Sequence, residues 1–314
     1  MSIPLSVVIC SFNRLDCLRD SIAAVTSQLA EVPFAELIVV DDGSTDGTAA
    51  WLDAQPPHSH VKFIRQPNRG LSAARNRGIN AASGEWIAYL DDDALPAPDW
   101  LATLASACAA ASPEIAVIGG PIRLQWPEPV PAWLPPPLHE WLTCFEPSHG
   151  ARSSATEALF RGANMTCRRS ALDVVGRFSE RLGRKGGSLL SREECDLAER
   201  LHAAGFLSHY DPLPWVWHRV APERLQRSWF FRRLFWEGVS LHLTDLRARE
   251  LSPVRRRASA VLYALKKVFA PSLLARTLRF DRPQLQTTAI GELCFHAGSA
   301  RGIWCAGMTN LPHG

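Results

Sequence analysis

The first 120 residues alternate between short apolar runs and longer segments whose apolar residues recur at helical spacing. Strand-like runs lie at residues 5–10, 36–40, 61–65, 86–90 and 115–119, and the first of them is rich in β-branched residues. Helical spacing and helix-stop signals predict helices at residues 15–29, 48–54, 71–82 and 98–111. Strands that alternate with helices indicate a parallel α/β sheet. Such sheets bind ligands beyond the carboxyl ends of their strands, and acidic clusters follow two of these runs.

The pattern changes after residue 120. Residues 125–160 are dense in proline and tryptophan. Because proline this frequent excludes a helix interior or a central strand, we expect an irregular but ordered excursion. Residues 161–181 return to short elements, residues 191–204 predict a helix, and the chain reads as mostly helical from residue 220.

Composition places the chain among ordinary globular proteins. Of its 314 residues, 46% are apolar and 21% charged, which excludes disorder, collagen and coiled coil. Its longest apolar runs fall far short of the ~20 residues that span a bilayer. The eight cysteines form no CxxC pair, and the N-terminus runs straight into a strand pattern. We therefore expect reduced thiols, no signal peptide and a cytoplasmic location.

Basic residues concentrate late in the chain. Residues 219–282 carry 15 Lys or Arg against 5 Asp or Glu. Within them, residues 254–282 mix basic and apolar side chains, which is typical of an amphipathic helix lying on an anionic membrane. The alternative is a helix packed on its own domain with a solvated basic face. The hypothesis of an amphipathic helix on the membrane predicts peripheral association with its inner face. Nucleic acid is not an expected partner, because the net charge is only +3 and no binding module is recognisable.

Three adjacent carboxylates, Asp91, Asp92 and Asp93, follow the strand-like run at 86–90. They repel one another, and a hard divalent cation relieves that repulsion. Mg²⁺ is commonly held by one or two carboxylates together with substrate phosphates. A solvated acidic turn is the alternative, but the position at a strand's carboxyl end favours a metal site.

Two further motifs are individually weak. Residues 41–47 end another strand, where Asp42 could accept a hydrogen bond from a base or ribose. The alternative there is an Asx turn with Gly43 at positive φ. Residues 68–76 open a helix, where amide groups and Arg75 could bind phosphate. In the alternative, Ser72 is a plain N-cap and Arg75 a surface charge.

Four motifs that are weak individually become specific when their order along the chain is considered. They lie at residues 7–14, 38–46, 68–78 and 84–93. Their order and spacing closely resemble family 2 glycosyltransferases of the GT-A fold. The resemblance is close over residues 4–120 and looser over 158–220.

This resemblance implies a Rossmann-like mixed α/β sheet with helices on both faces, in a domain spanning residues 1–220. Residues 1–120 would bind the nucleotide sugar. Residues 121–220, with the excursion at 125–160, would form the acceptor half. A basic helical region, 221–314, would follow.

The implied reaction is an inverting transfer of a sugar from a nucleotide diphosphate sugar, with Mg²⁺ or Mn²⁺. A UDP-sugar is the donor that the resemblance favours. The acceptor would be a saccharide or a lipid-linked saccharide of a cell-surface glycan. By position, the donor-binding residues would be Ser11, Asn13, Arg14, Asp42, Arg75, Asp91, Asp92, Gly162 and Asn164. The metal ligands would be Asp93, Asp91 and His218.

The catalytic base is expected at the start of the helix at 191–204. The family usually has Glu-Asp there, whereas this chain has Glu193-Glu194, one methylene longer at the second position. Glu194 shares a helix face with Leu197 and Leu201 and should point inward. We therefore predict Glu194 as the base and Glu193 as the second candidate. Alternatively, Glu194 forms a capping box with Ser191.

His218 resembles a histidine that is often a third metal ligand in GT-A enzymes. Imidazole suits Mn²⁺ better than Mg²⁺. A hydrogen-bonded structural histidine is the alternative at this position.

Other function classes fit less well. A nicotinamide oxidoreductase needs Gly-x-Gly-x-x-Gly after the first strand, and a nucleotidyltransferase needs a glycine-rich first loop followed by Arg or Lys. The turn at residues 11–14 has neither. The non-enzyme alternative is a degenerate GT-A domain that binds glycan or membrane without turnover. It predicts loss of Asp93 or of the acids at 193–196, and all of these are present.

Overall fold

The strands form two sheets in the computed structural model, which describes residues 4–147, 153–155, 158–185, 188–243 and 251–306. The strands are β1 (Leu5–Ser11), β2 (Ala35–Asp41), β3 (Val61–Arg65), β4 (Trp86–Asp91), β5 (Ala94–Pro96), β6 (Ile115–Gly119), β7 (Ile122–Gln125), β8 (Ser153–Ala155), β9 (Asn164–Arg168), β10 (Leu207–Tyr210) and β11 (Val216–Arg219).

Ten α-helices lie in the described residues. They are α1 (Leu15–Thr26), α2 (Thr48–Asp53), α3 (Leu71–Ala81), α4 (Trp100–Ala110), α5 (Arg169–Val175), α6 (Glu193–Ala203), α7 (Arg227–Leu243), α8 (Pro253–Lys267), α9 (Pro271–Thr277) and α10 (Pro283–Cys305). The five predicted strands and the five predicted helices are confirmed to within three residues at each end. The helical character after residue 220 is confirmed as well.

The larger sheet has the strand order β3-β2-β1-β4-β9-β6-β10-β8. Strands β3, β2, β1 and β4 are mutually parallel, as the alternation predicted. Strand β9, which the alternation did not predict, is antiparallel to both β4 and β6. The sheet is therefore mixed, as the family resemblance implied. A smaller sheet has the order β5-β11-β7.

The core lies on both faces of the larger sheet, because successive side chains of a strand point to opposite faces. Val7 and Ile9 of β1 join a buried cluster with residues of α1 and α4. Val8 points the other way and joins a second cluster with residues of α3, α5 and α6. This continuous burial explains why β1 and β2 show apolar runs rather than alternation.

By compactness the chain divides into two units. The first comprises Met1–Gln125, Thr143–Arg181 and Glu193–Arg219, and contains both sheets. The second comprises Trp126–Leu142, Leu182–Arg192 and Val220–Gly314, and contains α7 to α10.

Residues 126–142 of the proline- and tryptophan-rich segment lie in the second unit and carry defined ring contacts. Trp126 meets His139 edge-on at 5.0 Å between ring centroids, and Trp133 meets Phe230 at 5.6 Å. Residues Pro136–Leu142 form a 3-10 helix. Residues 148–152 and 156–157 of the predicted excursion lie outside the described part of the chain.

Close packing of α3 on β1 generates a stability prediction. A Cβ atom on Gly78 would lie 2.4 Å from Cγ1 of Val8, which is buried. Overpacking costs ~1–3 kcal/mol, whereas alanine gains up to ~1 kcal/mol over glycine in helix propensity. Gly78→Ala should therefore lower the free energy of unfolding in urea, by ~1–2 kcal/mol.

The Val8→Ala background provides the control, because it removes both γ-methyl groups. There, Gly78→Ala should become neutral or stabilising. An equal loss in both backgrounds would mean that this contact is not the cause.

Candidate active site

The acidic cluster lies at the carboxyl end of β4, beside the end of β1. Asp92 and Asp93 are buried and Asp91 is half-buried. The Ser11 hydroxyl donates to Asp92 Oδ2 at 2.7 Å. Arg14 Nη1 contacts Asp93 Oδ2 and lies 3.4 Å from Asp92 Oδ1. Because β1 and β4 are parallel neighbours, their carboxyl ends lie side by side, and residues far apart in sequence meet there.

The charges of this cluster shift one another. Burial raises the pKa of the Asp92 carboxyl well above its usual range, while Arg14 and the Ser11 hydrogen bond act in the opposite direction. Burial alone would lower the pKa of Arg14, but the charges of Asp93 and Asp92 outweigh it and raise that pKa. Arg14 therefore stays cationic and offsets part of the carboxylate repulsion.

Asp91, Asp93 and His218 form a candidate metal site. One ligand atom from each lies within 4.8 Å of the others. His218 Nε2 is 3.3 Å from Asp93 Oδ1. The pairing of β11 with β5 sets His218 opposite Ala94, the residue after Asp93. Two carboxylates and an imidazole are a donor set that Mn²⁺ accepts, so these residues fit the divalent cation that the resemblance implied.

Arg75 bridges this cluster to the acids at the start of α6. Its Nη1 lies 2.8 Å from Glu193 Oε1, and its Nη2 lies 3.3 Å from Asp91 Oδ1. Burial would lower the pKa of Arg75, but the charges of Glu193 and Asp91 prevail and raise it. Its side chain is only 3% exposed, so the surface-charge alternative is wrong.

The surroundings of Arg75 include residues that sequence reasoning missed. The rings of Tyr89 and Phe178 lie 5.9 Å and 5.5 Å from its guanidinium carbon. A Cβ on Gly162 would lie 2.6 Å from Nη2, so a larger residue there would require the guanidinium to shift. No local sequence signal marks Tyr89 or Phe178, because both read as ordinary core residues.

Glu193 and Glu194 have different environments. Glu193 is buried against Arg75, as described above. Glu194 is half-buried, and its Oε2 is buried without a hydrogen-bond partner among the described residues. The capping box does not form: the Ser191 amide donates to Ser240 Oγ at 3.1 Å, and its hydroxyl donates to Glu237 at 2.8 Å.

Asp42 holds the loop before α3. Its carboxylate accepts hydrogen bonds from the amides of Arg69 at 3.0 Å and Gly70 at 2.8 Å, and from Gln66 Nε2 at 2.7 Å. Gly43 has φ +79°, as the turn alternative required. The carboxylate therefore ties the end of β2 to the start of α3, and contact with a nucleotide stays a prediction.

Asn13 and Asn164 also bond to the protein itself. Asn13 has φ 54° and accepts the Thr45 amide at 2.6 Å through Oδ1. The buried Asn164 has three partners within the protein. Its Nδ2 donates to the carbonyls of Pro121 and Pro214, and its Oδ1 accepts from the Trp100 indole. Donor contact by either asparagine stays a prediction.

The structure thus brings most of the predicted residues into one connected cluster. Ser11, Arg14, Asp91, Asp92, Asp93 and His218 lie at its centre. Arg75 connects Asp91 to Glu193, and Gly162 shapes the space around Arg75.

The buried bridge of Arg75 generates a second prediction. Arg75→Met should lower the free energy of unfolding by ~3–5 kcal/mol, because Glu193 would lose its buried partner. Urea unfolding followed by circular dichroism measures this.

Arg69→Met is the matched control. Its partner is Glu180, and the two side chains are 63% and 43% exposed. Such a pair contributes ~0–1 kcal/mol. An equal decrease in the free energy of unfolding for both variants would contradict a buried ion pair at Arg75.

Comparison with known proteins gives concordant matches. The model of "Glycosyl transferase family 2" matches residues 6–176, more than half of the chain. The chain is 27% identical over 244 residues to glucosyl-dolichyl phosphate glucuronosyltransferase of Haloferax volcanii, covering 77% of each protein. It is 24% identical over 303 residues to the succinoglycan biosynthesis protein ExoM of Rhizobium meliloti, covering 95% of this chain and 92% of that one.

A solved structure shares the fold. It is a mannosyltransferase from Pyrobaculum calidifontis in complex with GDP-mannose and Mn²⁺, with a TM-score of 0.65 and 18% identity. The match covers 97% of this chain and 88% of the other. The architecture is thus that of the GT-A glycosyltransferases, and the chain belongs to glycosyl transferase family 2 and is a glycosyltransferase.

Proposed function

We propose that this glycosyltransferase moves a sugar from a nucleotide diphosphate sugar to an acceptor hydroxyl, with inversion and with a divalent cation. The observation that carries the proposal is the cluster of Asp91, Asp93 and His218, whose ligand atoms lie within 4.8 Å of one another. A bound Mg²⁺ or Mn²⁺ would neutralise charge that develops on the departing nucleoside diphosphate.

For the donor, Asp93, Asp91 and His218 would hold the metal, with Asp92, Ser11 and Arg14 beside them. A UDP-sugar is the first donor class to test. GDP-sugars are the second, because the solved mannosyltransferase is in complex with GDP-mannose.

For the base, the two neighbouring glutamates differ in a way that supports Glu194. Glu193 is paired with Arg75, whose Nη1 lies 2.8 Å from Glu193 Oε1 and occupies that oxygen. In the described part of the chain, Glu194 forms no ion pair with Arg75, so its carboxylate is not held by that guanidinium. It would accept the proton as the acceptor oxygen attacks the anomeric carbon. A single displacement of this kind inverts the anomeric configuration.

For the acceptor, we propose a saccharide or lipid-linked saccharide in the synthesis of a cell-surface glycan. The names of two relatives, a glucosyl-dolichyl phosphate glucuronosyltransferase and a succinoglycan biosynthesis protein, support this class. The retained Asp93, Glu193 and Glu194 speak against a degenerate binding module.

The donor reaction is tested with a panel of UDP- and GDP-sugars. With Mn²⁺ or Mg²⁺, the protein should release nucleoside diphosphate from at least one donor, and EDTA should abolish the release. Asp93→Asn keeps the side chain's shape but removes its charge, so calorimetry should show at least tenfold weaker binding of Mn²⁺ with the nucleotide.

Asp99→Ala is the control, because Asp99 is an exposed acid on the same stretch of chain. This variant should bind Mn²⁺ with the nucleotide, and release nucleoside diphosphate, as the wild type does. Metal-independent release, or normal Mn²⁺ binding by Asp93→Asn, would refute the proposed site.

The base is tested with Glu194→Gln. This variant should bind nucleotide and metal normally but transfer sugar at least ~100-fold more slowly, because general base catalysis contributes 10²–10⁴-fold. Transfer to acceptor and nucleotide binding are measured separately.

Glu199→Gln, an exposed position on α6, should leave transfer unchanged. Near-normal transfer by Glu194→Gln would exclude Glu194 as the base and would direct the same test to Glu193.

A further inference from the structure

Large apolar side chains are unusually exposed along α8 and α9. Eight of the fourteen large hydrophobic residues exposed in the described chain fall between residues 254 and 280, so they form a patch rather than a scatter. They are Val254, Val261, Leu262, Leu265, Phe269, Leu274, Leu278 and Phe280.

On α8 the exposed apolar residues form one continuous stripe. Val254, Ala258, Val261 and Leu265 follow the spacing i, i+4, i+7 and i+11, which keeps them on one helix face. Leu262 lies beside them. Val254 is 76% exposed and Leu265 is 58% exposed. The apolar face of an ordinary surface helix points to the core, whereas this stripe points to solvent.

The opposite face of α8 is attached to the rest of its unit. Ala260 is buried there. The Tyr263 hydroxyl is 2.9 Å from His296 Nδ1, and the Arg256 guanidinium contacts the carbonyl oxygen of Ala306. Because these contacts fix the rotation of α8, the stripe cannot turn inward without breaking them.

Basic residues lie along both sides of the stripe. At 100° per residue, Arg255 and Lys266 fall on one side of it and Arg257 on the other. Residues 253–282 carry eight Lys or Arg and a single acid, Asp281. An apolar stripe with basic flanks matches a bilayer interface, where acyl chains meet anionic headgroups.

We propose that α8 and α9 form a docking surface for an anionic bilayer, with the stripe among the acyl chains and the flanking cations on the headgroups. A second copy of the chain fits this surface less well, because two such patches would face each other with the same strong positive charge. The basic patch also suits the cytoplasmic leaflet, which carries the anionic lipids.

The proposed docking is peripheral. No single helix in the described residues is long and apolar enough to span a membrane. Helices α8 and α9 pass that test only as a pair, and they are bent by 58° at the break between them. A shallow position would keep the cations of α8 at the headgroup level.

Flotation of the full chain with vesicles tests the surface. The protein should float with vesicles of one part phosphatidylglycerol to two parts phosphatidylcholine, but not with phosphatidylcholine alone. Molar NaCl should weaken the binding. Replacing both Arg255 and Lys266 by Gln should weaken it roughly thirtyfold, about fivefold for each cation. Replacing both Leu262 and Leu265 by Gln should weaken it at least tenfold.

Two controls carry matched substitutions outside the patch. Val174 is 68% exposed on α5, and Arg77 is exposed on α3. Val174→Gln and Arg77→Gln should float like the wild type, and unchanged thermal unfolding of all variants excludes misfolding.

Three outcomes would overturn the proposal. The first is equal binding to neutral vesicles, and the second is normal flotation of the Leu262 and Leu265 double variant. The third is a wild type that binds no vesicles but is a dimer by light scattering, together with a double variant that is a monomer. Flotation needs neither donor nor turnover, so its failure would leave the proposed sugar transfer untouched.

Discussion

Carboxylate repulsion at the end of β4 is the constraint on which the site depends. Three consecutive aspartates, two of them buried, would be very unfavourable without nearby cations. Arg14 supplies one cation from the loop after β1, and Arg75 supplies another from α3. Each arginine also fixes the geometry of the carboxylates that it contacts. The contacts of the two arginines therefore join the loop after β1, α3, the end of β4 and the start of α6.

The two arginines differ in their contacts and in their exposure to solvent. Arg14 contacts Asp93, one of the candidate metal ligands, and lies near Asp92, and its side chain is 29% exposed. Arg75 is enclosed by rings and by Gly162, and it joins Asp91 to Glu193. Arg14 is thus partly exposed to solvent, whereas Arg75 is buried between the carboxylates that it joins. The proposed base, Glu194, follows directly after the residue that Arg75 holds.

Local sequence patterns predicted what depends on local interactions. The apolar runs of β1, β2 and β4 and the acids at their ends were evident, because burial and strand ends leave a periodic signal. Strand β9 was not evident, since its antiparallel pairing with β4 and β6 is a long-range choice. Arg75 could not be recognised as buried, because its partners Asp91 and Glu193 are 16 and 118 residues away. The same holds for Asn164, whose partners come from three other segments.

The insertion of β9 has a consequence for the order in which the chain can assemble. By residue 91, a ribosome has delivered β1 to β4 and thus half of the larger sheet. Strand β6 follows soon after, but it cannot join β4, because the place between them belongs to residues 164–168. Until those residues emerge, β4 pairs with β1 on one side and remains an edge strand on the other, the kind of surface that templates aggregation. The strand that ends in the acidic cluster therefore keeps one side open to mispairing until residues 164–168 emerge.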